Sequence, residues 1–382
     1  MAILVFILIL ALIVLIHEFG HFIAAKKNKV LVEEFGFGFP PRLLSVKKGE
    51  TVYSLNLIPL GGFVKVYGEE YQEEKNTLIK NRAFIYKKPS QKALIVFAGI
   101  LMNIILGIFI YYILLSINNF KSDPIPVINN YHFKFGQQEE RVLAGSIVKN
   151  SPAENAGIKY GDLFLSIKLS QNQVTNIEIN TAKQLISLIS QTQNQPVYLE
   201  LENVQNGQHK TVKVVPVFNE KLNRPIIGVE LADVMLIKYQ NPQDKLFSGF
   251  LHAYNIVDFT FYTTGYLISS SFKQKNIAPL SETTSGPIGI FSLVNDTVKN
   301  SGKKLAINLM NLVALLSLSI GVINILPLPP LDGGKLAFIL YEWTSGRRVN
   351  QIFEKYFSLL GFVFLVSLAI VVSINDIIKL VH

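Results

Sequence analysis

Every position from Ala2 to Ile16 is hydrophobic, and apolar character resumes after a short polar interruption. A helix needs about 20 mostly apolar residues to cross a bilayer, so residues 1–25 predict a first membrane span. Residues 93–117 carry no charge and predict a second. Residues 305–331 predict a third, and residues 356–375 a fourth. A cleaved signal peptide is not expected at the N-terminus. No basic segment precedes the apolar run, and no small-residue cleavage site directly follows it. Residues 246–272 also lack Lys and Arg and are rich in Phe, Tyr, Ile and Leu, but His252 and Asp258 interrupt them. An amphipathic helix lying on the outer membrane surface is preferred there; the alternative is a fifth span.

Between the second and third spans the pattern changes. Residues 138–218 alternate in short apolar runs separated by turn residues, the signature of strands. In SPAENAGIKYGD (151–162), Ser151 caps a short helix with Pro152 at its first position, and Gly157 supplies a left-handed cap. Gly161-Asp162 then turns the chain into a strand, LFLSI. A helix is expected at 182–191, followed by strands near 196–202 and 211–217. This order and the NSPAENAG…GD signature resemble a PDZ domain of the bacterial protease type. Such domains bind extended peptides at a sheet edge, and a spacer that binds nothing is the alternative.

Charge sets an orientation. Only 16% of the 382 residues are charged and the net charge is +9. Thirteen Lys and Arg lie in residues 26–92, and Arg347, Arg348 and Lys355 lie between the third and fourth spans. Basic connections stay cytoplasmic, so 26–92 and 332–355 are expected inside. The N-terminus, residues 118–304 and the C-terminus are expected outside. Nucleic acid is not an expected partner. The chain has no cysteine, so any metal must be held by histidine and carboxylate ligands.

Such ligands interrupt the first span. His17 and His21 stand four apart, on one face of a helix, and Glu18 lies between them in the zinc-protease pattern HEFGH. Two histidines need a third protein ligand. Asp332, in NILPLPPLDGG (324–334), is the candidate. Pro327, Pro329 and Pro330 exclude a regular helix there, and Gly333 and Gly334 allow unusual backbone angles. Ionisable groups at membrane depth are costly unless compensated, and a metal compensates them. Charge pairing between spans, as in a transporter, is the plainer alternative, and a catalytically inactive membrane scaffold is another. His132, His209, His252 and His382 are expected to be ordinary surface or loop residues.

HEFGH in the first span, the PDZ-like insert and NILPLPPLDGG together resemble the site-2 protease family, in its bacterial regulator-of-sigma-E protease type. The resemblance implies a polytopic α-helical membrane protein with four transmembrane helices and an inserted extracytoplasmic α+β PDZ domain. It implies an intramembrane zinc metalloendopeptidase in the bacterial cytoplasmic membrane, with one zinc ion on His17, His21 and Asp332 and with Glu18 as general base. Asn324 matches the motif Asn and would hold the substrate backbone. LNLIPLGGFVKV (55–66) resembles a membrane-associated β-hairpin, about 51–67, beside the active site. Gly61, Gly62 and Phe63 would there contact substrate. The expected partners are single-span transmembrane protein substrates, such as anti-sigma factors or remnant signal peptides, with peptide C-termini at the PDZ domain and membrane lipid. AGILMN (98–103) resembles a second-span motif in which Ile100 replaces a proline, and Ser319 replaces an Asn of Gram-negative relatives. Many relatives carry two PDZ domains where one is read here.

Overall fold

The computed structural model describes residues 1–69, 77–128, 131–170, 175–192, 195–204, 207–275 and 286–381. Helix α1 (Ala2–Lys27) leads to strands β1 (Val32–Lys48) and β2 (Thr51–Val66) and then to helix α2 (Pro89–Ile117). Next come β3 (Ile125–Pro126), β4 (Gln137–Ile147), the one-turn helix α3 (Pro152–Asn155), β5 (Asp162–Lys168), β6 (Ile177–Glu178) and α4 (Ala182–Ser190). Strands β7 (Val197–Asn203), β8 (His209–Val214), β9 (Val217–Asn219), β10 (Arg224–Ile226) and β11 (Val229–Lys238) follow. The chain closes with α5 (Pro242–Leu246), α6 (Ser248–Gln274), α7 (Pro287–Asn300), α8 (Leu305–Ile325), α9 (Asp332–Ser345) and α10 (Gln351–Val381). Two compact units result: 1–111 with 260–299 and 309–382, and 112–259 with 300–308.

The first unit contains long apolar helices. Four segments are long and apolar enough to cross a membrane: Ala2–Lys27, Pro89–Ile117, Gly302–Ile325 and Ile352–Lys379. The chain is a membrane protein. Helix α1 ends where Lys26 and Lys27 complement the negative end of the helix dipole, and the Asn28 side chain donates to the Ala24 carbonyl at 2.8 Å. Helices α1 and α2 meet backbone to backbone. A Cβ on Gly20 would overlap the Ala98 carbonyl, and one on Gly99 would overlap the His21 ring. Small residues allow such approach where apolar burial gives little drive for helix association. With Ile100 in place of a proline, α2 runs unbroken.

The β-hairpin is larger than the sequence suggests. The expected 51–67 segment is only its second strand. Residues 62–66 pair antiparallel with 32–37, while 51–56 pair with 42–48 and also lie beside 34–37. The paired segments are thus ordered 44–48, 51–55, 34–37 and 62–66. Pro40, Pro41 and Arg42 hide the first strand from a simple apolar alternation. Phe22 of α1 packs edge-on against Phe35 and Tyr53, and Ala24, Ala25, Val30, Val32, Val66 and Ile95 form a small core beneath them.

The break after the third span also differs from expectation. Helix α8 stops at Ile325, and a new helix, α9, starts at Asp332 within the segment expected to be a loop. Gly333 and Gly334 are helical there, not in an unusual conformation. They are needed for close approach: a Cβ on Gly333 would overlap the Ile325 and Leu326 carbonyls, and one on Gly334 would lie 2.6 Å from the Pro329 nitrogen.

In the second unit an antiparallel sheet has the order β3-β11-β4-β5-β7-β8, with β6 on β5. It extends beyond the expected 138–218 because β11 pairs with β4 along most of its length. Ser151 accepts from the Glu154 amide at the start of α3, and Gly157 and Gly161 have φ of +77° and +83°. Helix α4 buries Leu185 and Ile189 in a core with Phe164, Ile167, Leu199 and Leu201. His252 is not a surface residue. It is buried on α6, with its Nδ1 3.2 Å from the Tyr239 hydroxyl, and desolvation pushes its pKa down to about 4. His132 and His209 are exposed, while His382 lies outside the described residues. Helix α6 covers all but the first two residues of the 246–272 segment; it is not among the four helices long and apolar enough to cross a membrane, and it exposes Phe250, Phe261 and Phe272.

Candidate metal centre

The helical spacing of His17 and His21 brings their Nε2 atoms to 3.1 Å from each other. Asp332 Oδ2 approaches from the first turn of α9, 3.0 Å from His17 Nε2 and 3.2 Å from His21 Nε2. Its place at a helix N-terminus favours the carboxylate form. The position depends on the close turn between α8 and α9 that Gly333 and Gly334 permit. Three potential ligand atoms from distant parts of the sequence therefore form a nearly equilateral triangle. Among the described residues, these three form the group suited to a metal ion.

The outer ring nitrogens face α2. His21 Nδ1 lies 2.9 Å from the Ile95 carbonyl. A carbonyl only accepts, so Nδ1 carries the proton and a neutral His21 turns a lone pair inward from Nε2. His17 Nδ1 lies 3.4 Å from the Asn103 side-chain amide. The His21 lone pair, His17 Nε2 and a carboxylate oxygen thus crowd one point, and Asp332 Oδ2 is buried with no hydrogen-bond partner. Such an arrangement needs a cation. Two imidazoles and one carboxylate are a donor set that suits zinc with a position left open for chemistry.

Glu18 lies beside the triangle, close enough to feel the charges of His21, His17, Asp332 and Lys335. Its Cγ packs against Gly62 of the hairpin, where an added Cβ would sit 3.2 Å away. Gly61 has φ of +100° where the strand reverses, and the Phe63 ring covers Gly36. A cavity of about 620 Å³ is lined by Glu69, Lys92, Lys335, Glu342, Arg348 and Glu354, with apolar neighbours. Lys335, one helical turn beyond Asp332, opens into this cavity and pairs with Glu69 at 2.7 Å. The Glu69 carboxylate raises the Lys335 pKa above the ordinary lysine value. Lys92 pairs with Glu342 at 2.8 Å.

The sequence pattern of peptidase family M50 matches residues 5–368. The chain belongs to peptidase family M50. A relative from Clostridium acetobutylicum, provisionally named a zinc metalloprotease, is 30% identical over 374 residues, covering 97% of this chain and 96% of the relative. A similarly named protein of Clostridium perfringens is 30% identical over 366 residues, with 96% and 95% covered. The zinc metalloprotease RasP of Oceanobacillus iheyensis is 27% identical over 451 aligned positions, with 98% of each chain covered.

In this M50 peptidase, Asn324 is half-buried in the last turn of α8. Ser319 is half-buried and donates to the Leu315 carbonyl of its own helix. Lys335, Glu69, Gly99 and Asn103 join the surroundings of the triangle without a role expected from the sequence. Lys335 follows LDGG directly, and Gly99 and Asn103 lie four apart in AGILMN, a helical spacing that points both toward one neighbour. Glu69 carries no comparable local signal.

Proposed function

We propose that the chain is an intramembrane zinc metalloendopeptidase that cuts single-span membrane proteins. The observation that carries this reading is the convergence of His17, His21 and Asp332 beside Glu18, on or next to helices long and apolar enough to span a bilayer. His17, His21 and Asp332 would hold the zinc ion, which would supply a Lewis acid to polarise the scissile carbonyl and acidify the attacking water. Glu18 takes a proton from that water as its oxygen bonds to the carbonyl carbon. It returns the proton to the amide nitrogen as the C–N bond breaks. Asn324, Gly61, Gly62 and Phe63 hold the unwound substrate backbone, a role supported for Gly62 by its packing on Glu18.

The basic segments 26–92 and 332–355 face the cytoplasm of a bacterial cell, and the sheet unit lies outside. That sheet, with α3 and α4, is read as a PDZ domain that gates access or engages new C-termini. The aromatic face of α6 rests on lipid headgroups. Anti-sigma factors and remnant signal peptides, already trimmed outside, are the substrate classes. The direct test is co-expression with a tagged single-span substrate, comparing wild type with Glu18→Gln. Loss of the cleaved fragment in the variant is expected, and equal cleavage in both overturns the assignment.

A further inference from the structure

The two histidines of the metal triangle are held from behind by one face of α2. Ile95, Gly99 and Asn103 stand four residues apart, so they lie along a single helix face. The Ile95 carbonyl holds His21 Nδ1 at 2.9 Å. Gly99 leaves the space that the His21 ring fills. Asn103 comes next along the same face and is fully buried, with its amide 3.4 Å from His17 Nδ1.

We infer that Asn103 is a positioning residue that holds His17, through its outer ring nitrogen, in the orientation that binds the metal. The inference rests on the zinc reading above and concerns a residue outside the ligand set. His17 binds through Nε2, which faces Asp332 and His21. Its Nδ1 must then carry the proton and act as a donor. The partner it needs is an acceptor. Asn103 has one, since its Oδ1 is buried without a hydrogen-bond partner. The oxygen and nitrogen of an amide are interchangeable in shape and are assigned from their surroundings. Turning the Asn103 amide brings Oδ1 onto the His17 N–H and pairs an otherwise orphaned acceptor.

The acceptor is also held in place. Ser317 of α8 donates its hydroxyl to the Asn103 backbone carbonyl at 2.8 Å, and Ser317 is itself fully buried. Asn103 thus sits where α8 grips α2, in register with the histidine it supports. Partners of this kind fix the ring orientation of a metal-binding histidine, and their loss costs about 10–100-fold in metal affinity.

The test uses purified full-length protein in detergent, with zinc affinity measured by competition against a chromophoric chelator. Asn103→Leu keeps the volume but loses the acceptor, and its zinc affinity is expected to fall about 10–100-fold. Asn103→Asp keeps an acceptor and is expected to stay within a few-fold of wild type. Thermal unfolding of the metal-free proteins reports the packing separately. Wild-type affinity in Asn103→Leu overturns the inference. So does equal weakening in Leu and Asp variants, which assigns Asn103 a packing role alone. His17→Ala, run in parallel, tests the ligand set itself. If it binds zinc as wild type does, the zinc reading fails, irrespective of the Asn103 result.

Discussion

A single methyl group should empty the metal centre. Gly99→Ala adds a Cβ on the face of α2 that the His21 ring occupies. An ideal Cβ there overlaps Nε2 and Cε1 of the ring and lies 2.9 Å from Cδ2. Carbon atoms pack comfortably at about 3.5–4.0 Å, so the ring must retreat by roughly 1 Å. Metal–ligand distances tolerate only about 0.2 Å. His21 Nε2 now stands 3.1 Å from His17 Nε2 and 3.2 Å from Asp332 Oδ2. A retreat of that size removes one ligand from reach of the other two. Misplacement by about 1 Å at a catalytic centre costs on the order of 100-fold in rate, which corresponds to about 2.7 kcal/mol in the activation barrier. Helix propensity opposes this effect, since Ala is better than Gly by about 1 kcal/mol inside a helix. Weakened zinc binding therefore cannot be blamed on a poorer helix. Elemental analysis and chelator competition on the purified protein measure the change, with Gly265→Ala as the matched control. A methyl at Gly265 meets nothing within 4 Å, so that variant should bind zinc like wild type. Full occupancy with wild-type affinity in Gly99→Ala would refute the reasoning.

Three further outcomes are expected. Chelation with 1,10-phenanthroline should stop substrate cleavage, and added zinc should restore it; cleavage that survives full removal of metal points to other chemistry. Lys92→Met strands the mostly buried Glu342, whose remaining partner Arg348 is 3.4 Å away. The loss, read as a lowered melting temperature, should approach about 3–5 kcal/mol, and Lys92→Met/Glu342→Met should recover much of it. The third concerns pH. Burial lowers the His252 pKa to about 4, whereas an unfolded histidine titrates near about 6.5. The unfolded state therefore binds more protons between those values. The stability that neutral His252 contributes is present above about pH 6.5 and falls by up to about 1.4 kcal/mol per pH unit toward pH 4. Hydrogen exchange in residues 112–259 should speed up across that window, and His252→Gln should flatten the dependence.

What the sequence made legible follows the range of the forces involved. His17, Glu18 and His21 were readable because helical spacing is local. Asp332 was readable because prolines and glycines mark a broken helix at the end of an apolar run. The start of α9 was not, since the same glycines look like loop formers until their contact with the Ile325 and Leu326 carbonyls is seen. The first hairpin strand was obscured by Pro40, Pro41 and Arg42, and its order comes from pairing along both sides of 34–37. His252 looked like an interruption in an apolar helix. Its partner Tyr239 lies just after β11 in the folded unit, a tertiary fact that no local pattern carries. Asn103 and Gly99 were visible as motif letters, but their meaning depended on which helix they face.

The origin of the ligands has a consequence for biosynthesis. His17 and His21 are made roughly 300 residues before Asp332. At about 5–20 residues per second, the ribosome needs on the order of 15–60 s to supply the third ligand. A nascent or truncated chain therefore holds two of the three ligands during its insertion. Destructive chemistry is withheld until Asp332 has been made, so the delay works as a built-in clock.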